Sequence, residues 1–219
     1  MSMLCHLLEL SPDQIAALKA SPALVVDVAL GAQVEQMKAR LSQAIAQLPP
    51  EQREEKQVQF EAAVAGWDKA TAERRSAEHA AFSDLGLVAP GLELDKSWHV
   101  LHYLLTGDIA PTGGPGDGLM TGEEVGADFS GFGPARLHEP DETTDFAGFL
   151  RTVDVEALKS RVDCQDMASN GVYGVPTGPR AAADSDAELR AEVAAYFPQL
   201  QGYVARAASN GSGLLIWLA

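Results

Sequence analysis

The chain has 219 residues, of which 46% are hydrophobic, and it carries 31 Asp and Glu against 16 Lys and Arg, a net charge of −15. This length and composition predict one domain with a real hydrophobic core. The negative charge argues against nucleic acid and anionic membrane surfaces as partners, since both repel it, and is compatible with a basic protein partner. No apolar run reaches the roughly 18 residues of a membrane span, and the start lacks a basic signal region, so we expect a cytoplasmic protein.

Local signals define the first elements of the chain. The apolar run from Met3 to Leu10 predicts a buried strand, and the sequence SPDQ predicts a helix to about Ala20. Ser11 caps this predicted helix, and Gln14 completes a capping box with it. A second Ser-Pro pair at 21 and 22 predicts the start of another short helix.

A long helical arm is predicted from Gln33 to about Phe82. Its first half carries one apolar stripe with a spacing of three and four, made of Val34, Met37, Leu41, Ala44 and Leu48. The pair Pro49 and Pro50 breaks this helix, and the next helix carries Phe60, Val64 and Trp67 on one face. Two long helices joined at a proline pair predict an antiparallel hairpin, which we interpret as an insertion packed across the domain surface.

The rest of the chain mixes short strands and helices and ends on the apolar run GLLIWLA, a predicted buried strand. Strands at both ends, with helices between them, predict an α/β (α+β-like) fold in which a mixed β-sheet is flanked by helices. The expected organisation is a single domain over residues 1–219, with the antiparallel helical hairpin inserted at about 33–82.

The segment DKSWHVLHYLLTG, residues 95–107, places two histidines on an otherwise apolar helix. Asp95 is predicted to cap this helix, and Gly107 is predicted to end it. At about 100° per residue, one narrow polar strip contains Asp95, His99, His102 and Thr106. Trp98 belongs to the apolar surface around the strip, and Tyr103 borders it. The helix is therefore expected to be buried on three sides.

Three interpretations of the strip are open. The histidines can be structural, each bound to a carbonyl or carboxylate where the strip meets a loop. They can line a pocket, with His99 or His102 as acid, base or ligand donor. They can share a metal ion, but no HExxH motif or CxxC pair supports this, so neither a metal nor a cofactor is expected. If they are structural, replacing His102 should cost more stability than replacing His99, which lies nearer the open first turn.

Four stretches resemble the YfbM-like family, bacterial proteins grouped as a domain of unknown function: MSMLCHLLELSPDQ, LELDKSWHVLHYLLTGD, GEEVGADFSGFGPARLHEPDE and NGSGLLIWLA. They occur in matching order and span nearly the whole chain apart from the arm, which is its main departure from the family pattern. The resemblance implies an α/β domain of helices around a mixed sheet. It implies no activity, so no catalytic role passes to the matching residues.

Two functions are compatible with these patterns. The first is a non-catalytic protein-binding module, and an immunity-like or inhibitor-like role against a basic protein would fit its charge. The second is a small-molecule-binding protein or enzyme, in which Arg136 anchors a carboxylate or phosphate beside the strip. Its candidate ligand-binding residues are Asp95, Trp98, His99, His102, Tyr103, Thr106 and Arg136. The alternative for Arg136 is a structural ion pair. One pocket holding Arg136 with both histidines would favour the second function, and their dispersal would favour the first.

Overall fold

The structure, a computed structural model, describes residues 3–74, 82, 84, 86, 90–175 and 183–219. Its strands are β1 (Cys5–Leu10), β2 (Leu92–Glu93), β3 (Glu123–Val125), β4 (Ala135–His138) and β5 (Gly213–Leu218). Its α-helices are α1 (Pro12–Ala20), α2 (Leu24–Ala46), α3 (Pro50–Arg74), α4 (Ser97–Thr106), α5 (Pro140–Arg151), α6 (Val155–Ser160), α7 (Cys164–Ser169) and α8 (Ala183–Ser209). The part of the predicted arm at 75–81 and the side chain of Trp67 lie outside this description.

The described strands form one sheet in the order β2-β1-β5-β4-β3. The first and last strands of the chain are neighbours near its centre, paired from Cys5 with Leu218 to Leu10 with Gly213. The predicted α/β (α+β-like) class, with helices flanking a sheet, is confirmed. The pairings differ in one respect from a mixed sheet, because all of those described are antiparallel. Helices cover both faces, so β1 is buried throughout and β5 is buried up to its last residue, a pattern that otherwise marks parallel strands.

Two hydrophobic clusters lie on the two faces of the sheet. The larger one joins Cys5 and Leu7 of β1 to α4, α5 and α8. The other joins Leu8 and Leu10 to α1 and to the start of α2, and Phe82 is buried in it. Alternate residues of one strand thus serve different cores, as the two-residue period of a strand requires. None of the described helices is long and apolar enough to cross a membrane.

The predicted hairpin is present as α2 and α3, which are joined by residues 47–49 and lie against each other. Helix α2 starts at Leu24, so the short helix expected after Pro22 and the first helix of the arm are one continuous helix. No breaker other than Gly31 interrupts this stretch, and a helix tolerates a single glycine. The beginning of the hairpin is therefore part of the second core. Its status as an insertion at about 33–82 stays a prediction.

The side of α2 that faces the body is not the predicted stripe. Ala29, Ala32 and Gln36 are buried, whereas Met37 and Leu41 are 42% and 40% exposed. The stripe is thus not the side by which α2 contacts the body. Polar contacts with the sheet edge orient the helix instead, because Gln36 and Gln33 both lie 3.3 Å from the His6 ring nitrogens, and Arg40 pairs with Glu93 at 2.9 Å.

Two glycines give opposite predictions for a Gly→Ala change. A Cβ at Gly213, where β5 begins, would overlap the backbone carbonyl oxygen of His138 and lie 2.5 Å from Ile15 Cδ1. Gly202 in α8 has no atom within 4 Å of such a Cβ. We expect Gly213→Ala to destabilise the fold by at least about 2 kcal/mol through overpacking. Gly202→Ala should stabilise it by about 0.5–1 kcal/mol, because alanine favours a helix.

Urea unfolding of both variants and the unchanged protein measures these differences. Equal stability of the two variants would contradict the assignment of β5 and its packing against β4.

Candidate functional site

The helix that carries the two histidines begins one residue later than predicted. Lys96 occupies the N-cap position of α4, and no side chain caps it. Asp95 has a left-handed backbone, with φ of 50°, and its carboxylate accepts the Lys96 N–H at 2.8 Å. The predicted N-cap role of Asp95 is therefore wrong. The Leu94 N–H still pairs with the Cys5 carbonyl, so the chain must turn sharply at Asp95 before a helix can start, and aspartate tolerates that conformation better than most residues.

The prediction that Gly107 ends this helix is confirmed. Gly107 has φ of 82°, and its N–H donates to the Tyr103 carbonyl at 2.7 Å. This left-handed cap turns the chain back along α4, because glycine adopts the conformation without strain. The loop that follows therefore lies against the polar strip.

His99 is held by two backbone groups from two different segments. The Tyr173 N–H donates to its Nδ1 at 2.8 Å, and its Nε2 lies 3.1 Å from the Ile109 carbonyl oxygen. An accepting Nδ1 places the proton on Nε2, so the ring is neutral and donates to Ile109. Its ring also stacks on Trp98, with centroids 4.8 Å apart. His99 thus joins α4, the following loop and the segment after α7.

His102 is fully buried, and its Nε2 lies 3.3 Å from the Ala110 carbonyl oxygen. Its Nδ1 has no hydrogen-bond partner among the described residues. Burial lowers the pKa of His102, while the Ala110 carbonyl and the carboxylate of Asp117 oppose that shift. The ring is therefore neutral near pH 7. The two histidines are parallel neighbours, with centroids 6.3 Å apart.

A buried carboxylate that the sequence analysis did not single out organises the loop facing the strip. Asp117 is 1% exposed, and one of its oxygens accepts the N–H groups of Thr112, Gly113 and Gly114 at 2.8, 2.6 and 2.9 Å. Charged acceptors make the stronger class of hydrogen bond. The available signal was one acidic residue within a run of Gly, Pro and Thr, residue types that form turns. Asp117 thereby fixes the loop that the histidines contact.

The remaining candidate ligand-binding residues of α4 also bind protein groups. The Trp98 indole N–H donates to the Met3 carbonyl at 3.3 Å. The Tyr103 hydroxyl donates to Asp166 at 2.7 Å, and this bond raises the pKa of the phenol. Thr106 Oγ1 donates to the His102 carbonyl at 2.9 Å, as a threonine on a helix often does to the preceding turn.

Arg136 is not brought to the histidines by any described contact. It is half-buried on β4, beside Glu124 of β3 and Ile216 of β5 in the sheet. It makes no hydrogen bond or ion pair within the described part of the chain, so the structural ion pair expected for it is not found there. Its charge opposes the rise that burial causes in the pKa of Cys5, but it is not among the groups that shift the pKa of His102.

No group of three or more His, Cys, Asp or Glu side chains arranged to hold a metal ion is found among the described residues. His138, the remaining histidine of the sheet, binds the Thr121 carbonyl at 2.9 Å and packs against Phe146 rather than the strip. The strip therefore contains two neutral imidazoles, each bound to a backbone carbonyl of one loop. Chemically, this arrangement holds a loop in place.

The geometry reverses the order of stability effects expected from the sequence. Replacing His99 with Leu leaves the Tyr173 N–H and the Ile109 carbonyl unpaired. Because both residues are partly exposed, we expect a cost of about 1–2 kcal/mol for each, the lower part of the range for buried groups. Replacing His102 with Leu leaves only the Ala110 carbonyl and also removes an unpartnered ring nitrogen. We expect His99→Leu to cost about 2–4 kcal/mol in total and His102→Leu at most about 1 kcal/mol.

Denaturation midpoints of the two variants, measured side by side, test this order. A larger loss for His102→Leu would show that its carbonyl contact dominates. Two unchanged midpoints would show that the strip is not structural.

Stability should also fall on mild acidification. Burial is the main cause that lowers the pKa of His6, His102 and His138 below the usual 6.5. Just below pH 6.5 the unfolded chain therefore binds protons at these histidines, whereas the folded chain does not. The free energy of unfolding is at its full value above about pH 6.5 and decreases as the pH falls through that value. Each histidine contributes at most about 1.4 kcal/mol per pH unit.

Urea unfolding at about pH 7.5 and about pH 5.5 measures this loss. His102→Leu should lose less stability than the unchanged protein between the two conditions, since one of the three groups is gone. A loss of the same size in both would assign the acid sensitivity to other groups.

Comparison with known proteins agrees with this fold. The family model described as a domain of unknown function, DUF1877, matches residues 1–217. The crystal structure of a protein of unknown function, YfbM from Escherichia coli, is similar with a TM-score of 0.59 at 15% identity, over 99% of this chain and 99% of that one. At this identity the likeness shows the fold alone. Among curated proteins no match is found. The chain belongs to the DUF1877 family, whose domain has no assigned function.

Proposed function

We propose that the protein is a non-catalytic protein-binding module of the bacterial cytoplasm. The observation that carries the proposal is the position of its exposed apolar side chains. Four of the five large ones recorded among the described residues, Leu30, Met37, Leu41 and Val58, lie on the hairpin helices α2 and α3, and the other is Ile109. Leu30, Met37 and Leu41 lie on one side of α2, and contiguous exposed apolar side chains mark association sites, whereas single scattered ones do not.

The polar strip supports a non-catalytic role. A general acid or base needs a ring nitrogen within reach of a substrate. Both nitrogens of His99 bind backbone groups, and His102 has no exposed surface. The alternative, a small-molecule-binding protein or enzyme using His99, His102 and Arg136, draws support from one observation, the unpartnered Nδ1 of His102.

The charge of the chain favours a basic protein as the partner. Residues 24–74 hold 6 of the 16 basic and 8 of the 31 acidic residues, so the hairpin carries −2 and the rest of the chain −13. A surface of this charge attracts basic proteins and speeds their association. An immunity-like or inhibitor-like role would use this attraction, by analogy with other acidic proteins that neutralise basic ones. No nucleic acid, membrane, metal or cofactor is part of the proposal.

A pair of double variants tests whether the hairpin binds protein. Met37→Glu with Leu41→Glu places charge on the exposed apolar surface, where it should abolish association. Ala39→Glu with Ser42→Glu adds the same charge at exposed positions elsewhere around α2 and serves as the matched control. The measurement is the set of proteins that each immobilised variant retains from a lysate of the native cells, with the bound copies of the chain itself counted separately.

The proposal predicts that the unchanged protein and the control retain the same proteins, or the same bound copies, and that the Met37/Leu41 variant loses them. Identical retention by all three would contradict binding through the hairpin. A metabolite that raises the melting temperature of the unchanged protein, but not of a His102→Leu variant, would instead favour the alternative function.

A further inference from the structure

The exposed apolar residues of α2 continue as a regular pattern along the helix. We define the outer stripe as Leu30, Val34, Met37, Leu41, Ala44 and Leu48. Leu30, Met37 and Leu41 are 48%, 42% and 40% exposed, Ala44 is exposed, and Val34 and Leu48 are half-buried. Their spacing of four, three, four, three and four residues is the heptad pattern by which helices pack along a shared seam.

The outer stripe is separate from the side of α2 that the body covers. Ala29, Ala32 and Gln36 are buried against the body, and Arg40 reaches Glu93 on its edge strand. At about 100° per residue, the outer stripe is centred roughly a third of a turn from this buried side. An occupant of the stripe can therefore bind without displacing α2 from the sheet.

We infer that the occupant of the outer stripe is a second copy of this chain, bound antiparallel about a two-fold axis that crosses the stripe between Met37 and Leu41, level with Ala39, whose side chain lies on the opposite side of α2. This inference rests on the proposed function in that the hairpin is a protein-binding surface, and it names a second copy as the partner of the hairpin. The attraction to basic proteins belongs to the rest of the chain, which carries −13. The spacing of the stripe, four, three, four, three and four residues, is the same in both directions along the helix. In an antiparallel pair, Leu30 is level with Leu48 of the second copy, Val34 with Ala44 and Met37 with Leu41, so large and small side chains alternate along the seam. A two-fold interface requires this self-complementarity, because each contact occurs twice.

Charge selects a second copy over an acidic or basic helix. The hairpin carries only −2, and its two cations beside the stripe are already matched, Lys38 with Glu35 at 2.6 Å and Arg40 with Glu93 at 2.9 Å. Positions 33 and 47, on the flank of the stripe that also carries Arg40, are both glutamine. A strongly charged helix gains no attraction from such a surface, whereas a second nearly neutral hairpin incurs little repulsion.

Charge also selects the antiparallel direction. The rest of each chain carries −13. A parallel pair would hold two such bodies side by side. The body contacts α2 from Leu24 to Arg40, centred near residue 32. In an antiparallel pair the two centres are offset by 14 residue steps, about 21 Å at 1.5 Å per residue. This offset exceeds the screening length of about 8–10 Å in physiological salt, so the repulsion between the bodies is weaker than in a parallel pair.

The first experiment measures molar mass in solution by light scattering over a range of concentrations. We expect the unchanged chain and the Ala39→Glu, Ser42→Glu control to approach twice the chain mass of 23.2 kDa. The Met37→Glu, Leu41→Glu variant should remain at the single-chain mass, with an unchanged circular dichroism spectrum that shows it is folded. A single-chain mass for the unchanged protein at every concentration would overturn the inference.

The second experiment determines the direction. Cys5 and Cys164 are buried, and burial raises the pKa of both thiols, so neither competes in disulfide formation. A Leu30→Cys chain mixed with a Leu48→Cys chain should form a disulfide between the two chains on mild oxidation. Leu30→Cys chains that link efficiently to each other would indicate a parallel pair and overturn the antiparallel arrangement.

The two proposals fail in different ways. A single-chain mass, combined with lysate proteins that only the Met37/Leu41 variant loses, overturns self-association and leaves hairpin binding intact. A double-chain mass that the stripe variant retains overturns the role of the stripe in the pair. A single-chain mass with no change in retained proteins overturns both.

Discussion

The pairing of the first strand with the last determines the rest of the fold. β1 and β5 share six paired positions near the centre of the sheet, and neither core can close until the two chain ends meet. One polar residue on β1 reinforces this pairing by binding the segment that leads from α8 into β5. Glu9 has no exposed surface, and its carboxylate is held by Arg206 at 3.2 Å in the last turn of α8 and by Asn210 at 2.8 Å just after that helix. A buried carboxylate is costly unless it is bound in this way, so the contact also specifies how α8 lies on the sheet.

Buried polar groups play the same role at the histidine strip. The loop after α4 contains no regular secondary structure before Pro115, and its backbone groups need other partners if they are to lie against a buried helix. His99 and His102 supply two of these partners and Asp117 supplies three. The strip is thus a complement to one loop. Its polarity follows from the needs of the backbone, and a substrate is not required to explain it.

Features that depend on neighbouring residues could be predicted from the sequence, and features that depend on distant contacts could not. The Ser11–Gln14 capping box and the Gly107 C-cap are both present, because each closes within four residues. Asp95 fails as a cap, since its conformation is imposed by the pairing of Leu94 with a strand some ninety residues earlier. The roles of Asp117 and Arg136 likewise depend on where a loop and a strand lie in space.

The orientation of α2 shows why an apolar stripe alone does not identify the buried side of a helix. Its hydrophobic period is correct for a helix, yet His6 and Glu93 at the sheet edge bind the polar residues Gln33, Gln36 and Arg40. Leaving the buried His6 imidazole without those amides would cost more free energy than exposing part of a few apolar side chains to water. The polar side therefore turns inward, and the same rotation leaves Leu30, Met37 and Leu41 facing outward. A seam with heptad spacing is then available for a second helix, and its exposure is a direct consequence of how the body binds the hairpin.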